Sequence, residues 1–113
     1  MKISQSAAFQ KELKKLSKKY KTLPDDLKIL ESLIVKFPRG EDSRHCNILK
    51  EDGQKVICKR RMMCRSLKGS EFRVIYYSDG ERMEVEHIEI YYKGVKSTEN
   101  KNRIDELWRK QTS

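Results

Sequence analysis

The sequence contains few of the features that mark secreted, membrane or multidomain proteins. Its 113 residues include three cysteines, two prolines, five glycines and one tryptophan. No apolar run approaches the roughly 20 residues of a membrane-spanning helix, and the polar residues of Met1–Tyr20 are spaced unlike those of a secretory signal. Repeats, linkers and low-complexity segments are also absent. These absences predict one compact, soluble domain over residues 1–113, located in the cytoplasm and not bound to membranes.

The cysteines fit neither a disulfide framework nor a typical metal site. Cys46, Cys58 and Cys64 form an odd set without C-x-x-C spacing, and a chain without a secretory signal is expected to keep its thiols reduced. A tetrahedral zinc site usually combines close pairs of ligands in turns. The alternative is a metal site that uses these cysteines with His45 or His87, but the cysteines lack the C-x-x-C spacing of such a site. We therefore predict neither a bound metal nor a small-molecule cofactor.

The chain is strongly basic and only moderately apolar. Lysine and arginine number 26 against 17 acidic residues, which gives a formal charge of +9, and 36% of the residues are hydrophobic. A modest core leaves little room for a deep cavity, so any ligand site is expected to be a surface groove. The positive charge favours phosphate backbones, an anionic membrane surface or an acidic protein partner, and composition does not choose among them.

The amino-terminal third has the periodicity of two helices. An apolar stripe with lysines largely on the opposite side predicts a first helix from about Ser6 to Lys19. Pro24 suits the first turn of a second helix, which is expected to end before Pro38. The short connection between them predicts a helical hairpin. The stripe of the first helix consists of Phe9, Leu13, Leu16 and Tyr20.

Beyond Gly40, short apolar runs alternate with turn signals, as is typical of antiparallel hairpins. In the last run the apolar residues change parity, which predicts a bulge or a sharp twist near Glu86 or His87. The predicted strands are Arg44–Leu49, Lys55–Cys64, Phe72–Tyr77 and Arg82–Tyr92.

The chain is predicted to end in a helix whose apolar side docks on the sheet. Ile104, Leu107 and Trp108 form the stripe, and Ser97 or Thr98 is the expected cap. The order of elements favours an α+β fold in which the amino-terminal hairpin covers one face of an antiparallel sheet of about four strands. The other face is predicted to stay at least partly open.

Arg73 is predicted to lie on this open face. Because strand side chains alternate between faces, it groups with Ile75 and Tyr77. The preceding strand and turn add several cations, of which Lys59, Arg61 and Arg65 share one parity, whereas Arg60 has the other. If their parity faces the same side as Arg73, the four side chains form a basic floor suited to a polyanion. The alternative is a set of solvated cations whose aliphatic stems cover the sheet.

Three segments taken together resemble the RelE/ParE superfamily of bacterial type II toxins, and the resemblance covers nearly the whole chain. They read FQKELKKLSKKYKTLPDDL, CKRRMMCRSLKGSEFRVIYY and IEIYYKGVKSTENKNRI. The resemblance implies a microbial-ribonuclease-like fold and a toxin that is neutralised by an antitoxin. RelE-like members cut messenger RNA on the ribosome, whereas ParE-like members inhibit DNA gyrase.

The resemblance also implies roles for individual residues. Metal-free RNA cleavage through the 2′-hydroxyl needs a base, an acid and positive charge at the phosphate. Arg73 aligns with the strand arginine that stabilises the phosphate, and Arg65 adds to its field. The candidates for proton transfer or for the additional cation are His87, Glu89 and Lys93. In the last predicted strand His87 and Glu89 share parity with Tyr91, which predicts a common face. The implied RNA-binding residues are Lys59, Arg61, Lys68, Lys96 and Tyr91.

Three functions are compatible with these residues. The first is a ribosome-dependent messenger RNA endonuclease, the second is an inhibitor of a target such as gyrase that catalyses no reaction, and the third is a basic nucleic-acid-binding module without toxicity. The expected partners are messenger RNA and ribosomal RNA on the ribosome, and a cognate antitoxin. The antitoxin is expected to lay an acidic or amphipathic segment, folded on binding, across the helices and sheet.

Overall fold

The computed structural model describes residues 1–67 and 69–112 and has the predicted α+β architecture. A helical hairpin lies on one face of a sheet, and a carboxyl-terminal helix lies on the other. Among the described residues, no helix is long and apolar enough to cross a membrane. The elements in chain order are β1 (Lys2–Gln5), α1 (Ala7–Lys19), α2 (Leu23–Lys36), β2 (Cys46–Asp52), β3 (Lys55–Cys64), β4 (Gly69–Asp79), β5 (Glu84–Tyr92) and α3 (Lys101–Thr112).

The helical hairpin forms where the sequence predicts it. Ser6 caps α1, since its hydroxyl accepts a hydrogen bond from the Phe9 backbone amide at 3.1 Å. Pro24 occupies the first turn of α2, where its missing amide hydrogen costs nothing. Both helices bury their apolar sides against the sheet, and each such side chain contributes about 1.5 to 3 kcal/mol to folding. The fully or nearly fully buried members are Phe9, Leu23, Leu27, Leu30 and Ile34.

The sheet has five strands in the order β1-β5-β4-β3-β2. The four predicted strands form an antiparallel meander, and β1 adds a parallel strand beside β5, in register Lys2↔Glu84 to Gln5↔His87. Sequence reasoning did not find β1, because this four-residue strand has one apolar residue, Ile3, and therefore no alternation to detect. Pairing with β5, rather than local propensity, makes it a strand.

The predicted irregularity in β5 is confirmed. Ile75 pairs with Glu89 and Tyr76 pairs with His87, so Ile88 is an extra residue that has no partner in β4. A bulge of this kind changes which residues point to each face. His87 consequently lies on the side of the hairpin, whereas Glu89 lies on the side of α3.

Two hydrophobic cores lie on the two faces of the sheet. The larger core joins the hairpin to one face, and the smaller joins α3 to the other through residues that include Ile75, Tyr77, Ile88 and Ile104. The predicted docking of the last helix is therefore correct. Its predicted cap is wrong. Asn100 caps the helix, since its Oδ1 accepts a hydrogen bond from the Arg103 backbone amide at 3.1 Å, whereas Ser97 and Thr98 lie before the cap.

Candidate nucleic-acid interface

Arg73 lies near the middle of β4, on the face opposite the hairpin. Its neighbours across the sheet are Arg61 on β3 and Tyr91 on β5. The residue is only 8% exposed. Its Nη1 donates a hydrogen bond to the Phe72 carbonyl at 3.0 Å, and this is not its only interaction. The predicted face is correct, but the predicted exposure is wrong, because α3 and the segment before it close over much of this face.

Arg61 lies directly opposite Arg73 in the strand register, so the two side chains extend from the same face of the sheet. Neighbouring strands are separated by about 4.8 Å, so the two arginines are close enough to act on one anion. The Arg61 Nε atom is buried and has no hydrogen-bond partner within residues 1–67 and 69–112. An unsatisfied buried donor costs about 1 to 3 kcal/mol. A phosphate oxygen at this position would accept that hydrogen bond and reduce the repulsion between the two cations.

Tyr91 completes a row that runs Arg61, Arg73, Tyr91 across three strands. Burial and the negative charges of Glu99 and Glu89 raise the pKa of Tyr91 to about 12, although Arg73 opposes this shift. The phenol therefore keeps its proton at neutral pH. The raised pKa makes the phenol a weaker acid, but it is still more acidic than a ribose hydroxyl and can therefore donate its proton to a leaving alkoxide oxygen.

Glu89 is fully buried beside this row and binds the segment that precedes α3. Its carboxylate accepts a hydrogen bond from the Asn100 backbone amide at 2.8 Å and pairs with the Lys96 ammonium group. The Lys96 Nζ atom lies 5.5 Å from the centre of the Tyr91 ring, which adds a cation–π contact. Glu89, Tyr91 and Lys96 are thus brought together; the sequence predicts a shared face for Glu89 and Tyr91 only.

Lys59 lies on the same face but is paired with an acid. Its Nζ atom is 3.0 Å from Glu99 Oε1. Burial opposes ionisation of Glu99, but hydrogen bonds from its own backbone and from Lys59 outweigh this effect and lower its pKa. Sequence reasoning missed Glu99 and Asn100, although the acid in KSTEN was a visible signal that the nearby cations have a partner. Part of the expected basic floor is therefore neutralised.

His87 lies on the wrong side of the sheet for a role beside Glu89. It is fully buried under the hairpin, where its ring stacks on Phe9 at 4.9 Å. Its Nε2 atom lies 2.8 Å from the Glu31 carboxylate. The prediction that His87 shares a face with Glu89 and Tyr91 is wrong, because the extra residue Ile88 separates their orientations.

Arg65 is also separated from the row. It follows β3 in a turn, where its Nε atom lies 2.8 Å from Asp26 at the start of α2. The predicted parity with Lys59 fails because β3 is irregular between Met62 and Cys64 and ends before Arg65. Arg60, predicted to point away from the row, does so: it is nearly buried and pairs with the Asp42 carboxylate.

The remaining predicted site residues are peripheral or not described. Lys93 is exposed in the turn after β5, where its backbone amide donates to the Glu71 carbonyl at 2.7 Å. Lys68 lies outside the described residues. Within the part of the chain that the structure describes, no group of three or more metal-ligating side chains is assembled.

A shallow groove lies on the other side of the sheet, between α2 and the free end of β3. Its volume is about 590 Å³, and three apolar side chains that line it are exposed to solvent: Ile29, Leu33 and Met63. The rim carries Arg61 and Arg65. Because β2 begins opposite Arg60, the last residues of β3 have no β2 residue in register with them, although the Arg61 amide donates to the His45 carbonyl at 3.1 Å. The groove thus combines apolar surface and basic charge near the end of β3.

Comparisons with known proteins identify the fold. No protein-family model matches the sequence, and no curated protein matches it. A solved structure is similar: the "archaeal RelE-RelB complex from Pyrococcus horikoshii OT3", with a TM-score of 0.60 and 15% sequence identity over 82% of this chain and 94% of that chain. An identity this low establishes similarity of architecture alone. The chain therefore has a RelE-like fold.

Proposed function

We propose that this protein is the toxin of a toxin–antitoxin pair and that it cleaves messenger RNA on the ribosome, in the cytoplasm, without a metal ion. The observation that carries the proposal is the row of Arg61, Arg73 and Tyr91 on one face of a RelE-like sheet. Two arginines and a protonated phenol supply the charge and the acid that cleavage through the 2′-hydroxyl requires.

In the proposed reaction, Arg73 and Arg61 bind the oxygens of the scissile phosphate. A guanidinium group can donate two parallel hydrogen bonds to a phosphate, and these strengthen as the pentacoordinate transition state gains charge. Tyr91 protonates the leaving 5′ oxygen. Glu89 accepts the proton of the attacking 2′-hydroxyl once Lys96 has turned from the Glu89 carboxylate to a phosphate.

RNA can reach Arg73 only if the segment before α3 moves. That segment is held by ion pairs, Lys59 with Glu99 and Lys96 with Glu89, and by the hydrogen bond from Asn100 to Glu89. A polyanion competes directly for both lysines, because its phosphates can replace the two carboxylates as their partners. Binding is thus expected to couple to opening of the segment.

One observation favours a second candidate function, an inhibitor that binds a target such as gyrase and catalyses no reaction. Arg73 is nearly buried, and two of the expected cations are neutralised by Glu89 and Glu99. Such a protein would use its exposed cations for binding, and no proton transfer would be needed.

The groove between α2 and β3 is the proposed contact for the antitoxin. An amphipathic segment would place apolar side chains against Ile29, Leu33 and Met63, and its acidic side chains would lie near Arg61 and Arg65. A partner that is disordered when free would fold on binding. Recovery of a small acidic protein with the chain from native extract supports this assignment.

The test compares induced expression of the wild type with that of Arg73→Lys and Arg65→Ala. Arg73→Lys keeps the charge but loses the two-pronged contact, so message cleavage on translating ribosomes is expected to fall about 100-fold or more. Arg65→Ala removes an exposed arginine on the other side of the sheet and is expected to retain cleavage.

Growth and cut messages are scored in parallel, with cut sites mapped by primer extension. Equal cleavage by the wild type and Arg73→Lys would show that the guanidinium group of Arg73 is not needed for the reaction. If growth stops but no strain contains cut messages, the inhibitor is favoured. Loss of cleavage in both variants would indicate a general effect on folding.

A further inference from the structure

Two of the three cysteines lie next to each other on the hairpin side of the sheet, on the face opposite the proposed site. Cys46 is the first residue of β2, and Cys58 lies in β3. The strand register pairs Cys46 with Arg60 and Ile48 with Cys58, so the two cysteines are diagonal neighbours. Cys58 belongs to the core on the hairpin face, and Cys46 packs against that core.

The same segment of main chain contacts both sulfur atoms. Cys58 Sγ lies 3.7 Å from the Pro38 carbonyl oxygen, and Cys46 Sγ lies 4.0 Å from the next one, that of Arg39. Gly40 follows with a φ of 75°, and a Cβ atom there would overlap Cys46 Sγ. A glycine is therefore required both for the backbone conformation and for the position of the sulfur.

The two thiols differ in access and in acidity. Cys46 is partly exposed, whereas Cys58 is fully buried. The hydrogen bond from Cys58 and the charge of Arg60 lower the pKa of Cys46, although burial opposes them. The hydrogen bond to Cys46, together with burial, raises the pKa of Cys58. The less buried cysteine thus has the more acidic thiol, and the buried cysteine is its diagonal neighbour.

We propose that Cys46 and Cys58 form a thiol–disulfide exchange site for low-molecular-weight disulfides such as oxidised glutathione. The Cys46 thiolate attacks one sulfur of the small disulfide, which forms a mixed disulfide and releases one small thiol. Cys58 then loses its proton and attacks the Cys46 sulfur, which releases the second small thiol. The two cysteines lose two electrons and two protons in total, and the small disulfide takes them up.

The bond would join the beginning of the edge strand β2 to β3. Diagonal neighbours start farther apart than directly opposite residues, so closing the bond draws Cys46 towards Cys58. Cys46 can make this movement because β2 has a neighbouring strand on one side only and Cys46 is its first residue. Cys64 is fully buried and lies at the opposite end of β3, so it does not belong to the site.

The test incubates the folded, full-length protein with oxidised glutathione and follows intact mass and peptide maps after an acid quench. The wild type is expected to pass through a glutathione adduct on Cys46 and to end with a Cys46–Cys58 disulfide. Cys58→Ala is expected to stop at the adduct, and Cys46→Ser to react at least about tenfold more slowly. Cys64→Ala, the matched control, is expected to behave as the wild type does.

Circular dichroism establishes which variants are folded, and the wild-type peptide map tests the proposal even if a variant is not. A first adduct on Cys58 or Cys64, a disulfide that includes Cys64, or a wild type that stays fully reduced would each overturn it. So would a folded Cys58→Ala protein that accumulates no adduct.

Discussion

The two faces of the sheet are closed by different forces. On the hairpin face, apolar side chains of α1 and α2 form the larger core, and the buried Arg60 is paired with Asp42. On the other face, α3 covers one part with a smaller apolar core, and ion pairs to the preceding segment cover the rest. Dissolved ions do not compete with apolar contacts, whereas they can replace either partner of an ion pair. The second face is therefore the one that an anionic ligand can open.

The largest difference between the faces is expected in core truncations. Phe9→Ala removes a fully buried ring that packs against His87 and is expected to destabilise the protein by about 3 to 5 kcal/mol. Leu107→Ala, on the partly exposed side of α3, is expected to cost less than half as much. Urea unfolding followed by circular dichroism measures both. Equal losses would contradict the view that the hairpin face carries most of the stability.

An intermediate effect is expected at Asp26, which ties α2 to the turn after β3. Its carboxylate accepts hydrogen bonds from Thr22 and from the Arg65 side chain, each at 2.8 Å. Burial opposes its ionisation, but these hydrogen bonds outweigh burial and lower its pKa. Asp26→Asn is expected to cost about 1.5 to 3 kcal/mol at neutral pH, because hydrogen bonds to a charged group are lost.

The sign of the pH dependence follows from the lowered pKa of Asp26. A carboxyl group that is more acidic in the folded state stabilises the protein above the pKa of the unfolded chain, about 3.9, and this stability is lost as pH falls through the folded pKa. The difference between wild type and Asp26→Asn should therefore shrink below about pH 4. Asp25→Asn, at the exposed neighbouring position, is the control. A difference that stays constant to low pH would show that the charge of Asp26 contributes nothing.

Local patterns predicted most of the fold, because apolar periodicity and turn residues report directly on helices and hairpins. The stripe from Phe9 to Tyr20 and the parity change near His87 are examples, and both correspond to features of the structure. β1 escaped prediction because its conformation depends on pairing with β5, a partner about 80 residues away along the chain.

The candidate site was harder to predict, because parity assigns a face only while a strand stays regular. Arg73 lies in a regular stretch and was placed on the correct face, and the register shows that Arg61 meets the condition set for it, because it lies directly opposite Arg73. His87 precedes the bulge at Ile88, and Arg65 follows the end of β3, so both were assigned to the wrong side. Strand parity also could not predict the ion pair between Lys59 and Glu99, because Glu99 lies in a segment outside the sheet.

The smallest effect is expected from Glu99→Gln, which tests whether ion pairs on the second face exclude polyanions. The substitution releases Lys59, so binding of a single-stranded RNA oligonucleotide should strengthen, and the slope of log affinity against log salt should steepen by about 0.7, the value for one added phosphate contact. Glu106→Gln makes the same charge change at an exposed position of α3 and controls for net charge. If both variants shift the slope equally, the change in net charge explains the gain in RNA affinity. If only Glu99→Gln steepens the slope, the Glu99 carboxylate keeps Lys59 from binding phosphate in the wild type. Lys59 then becomes available to a polyanion only when that ion pair opens.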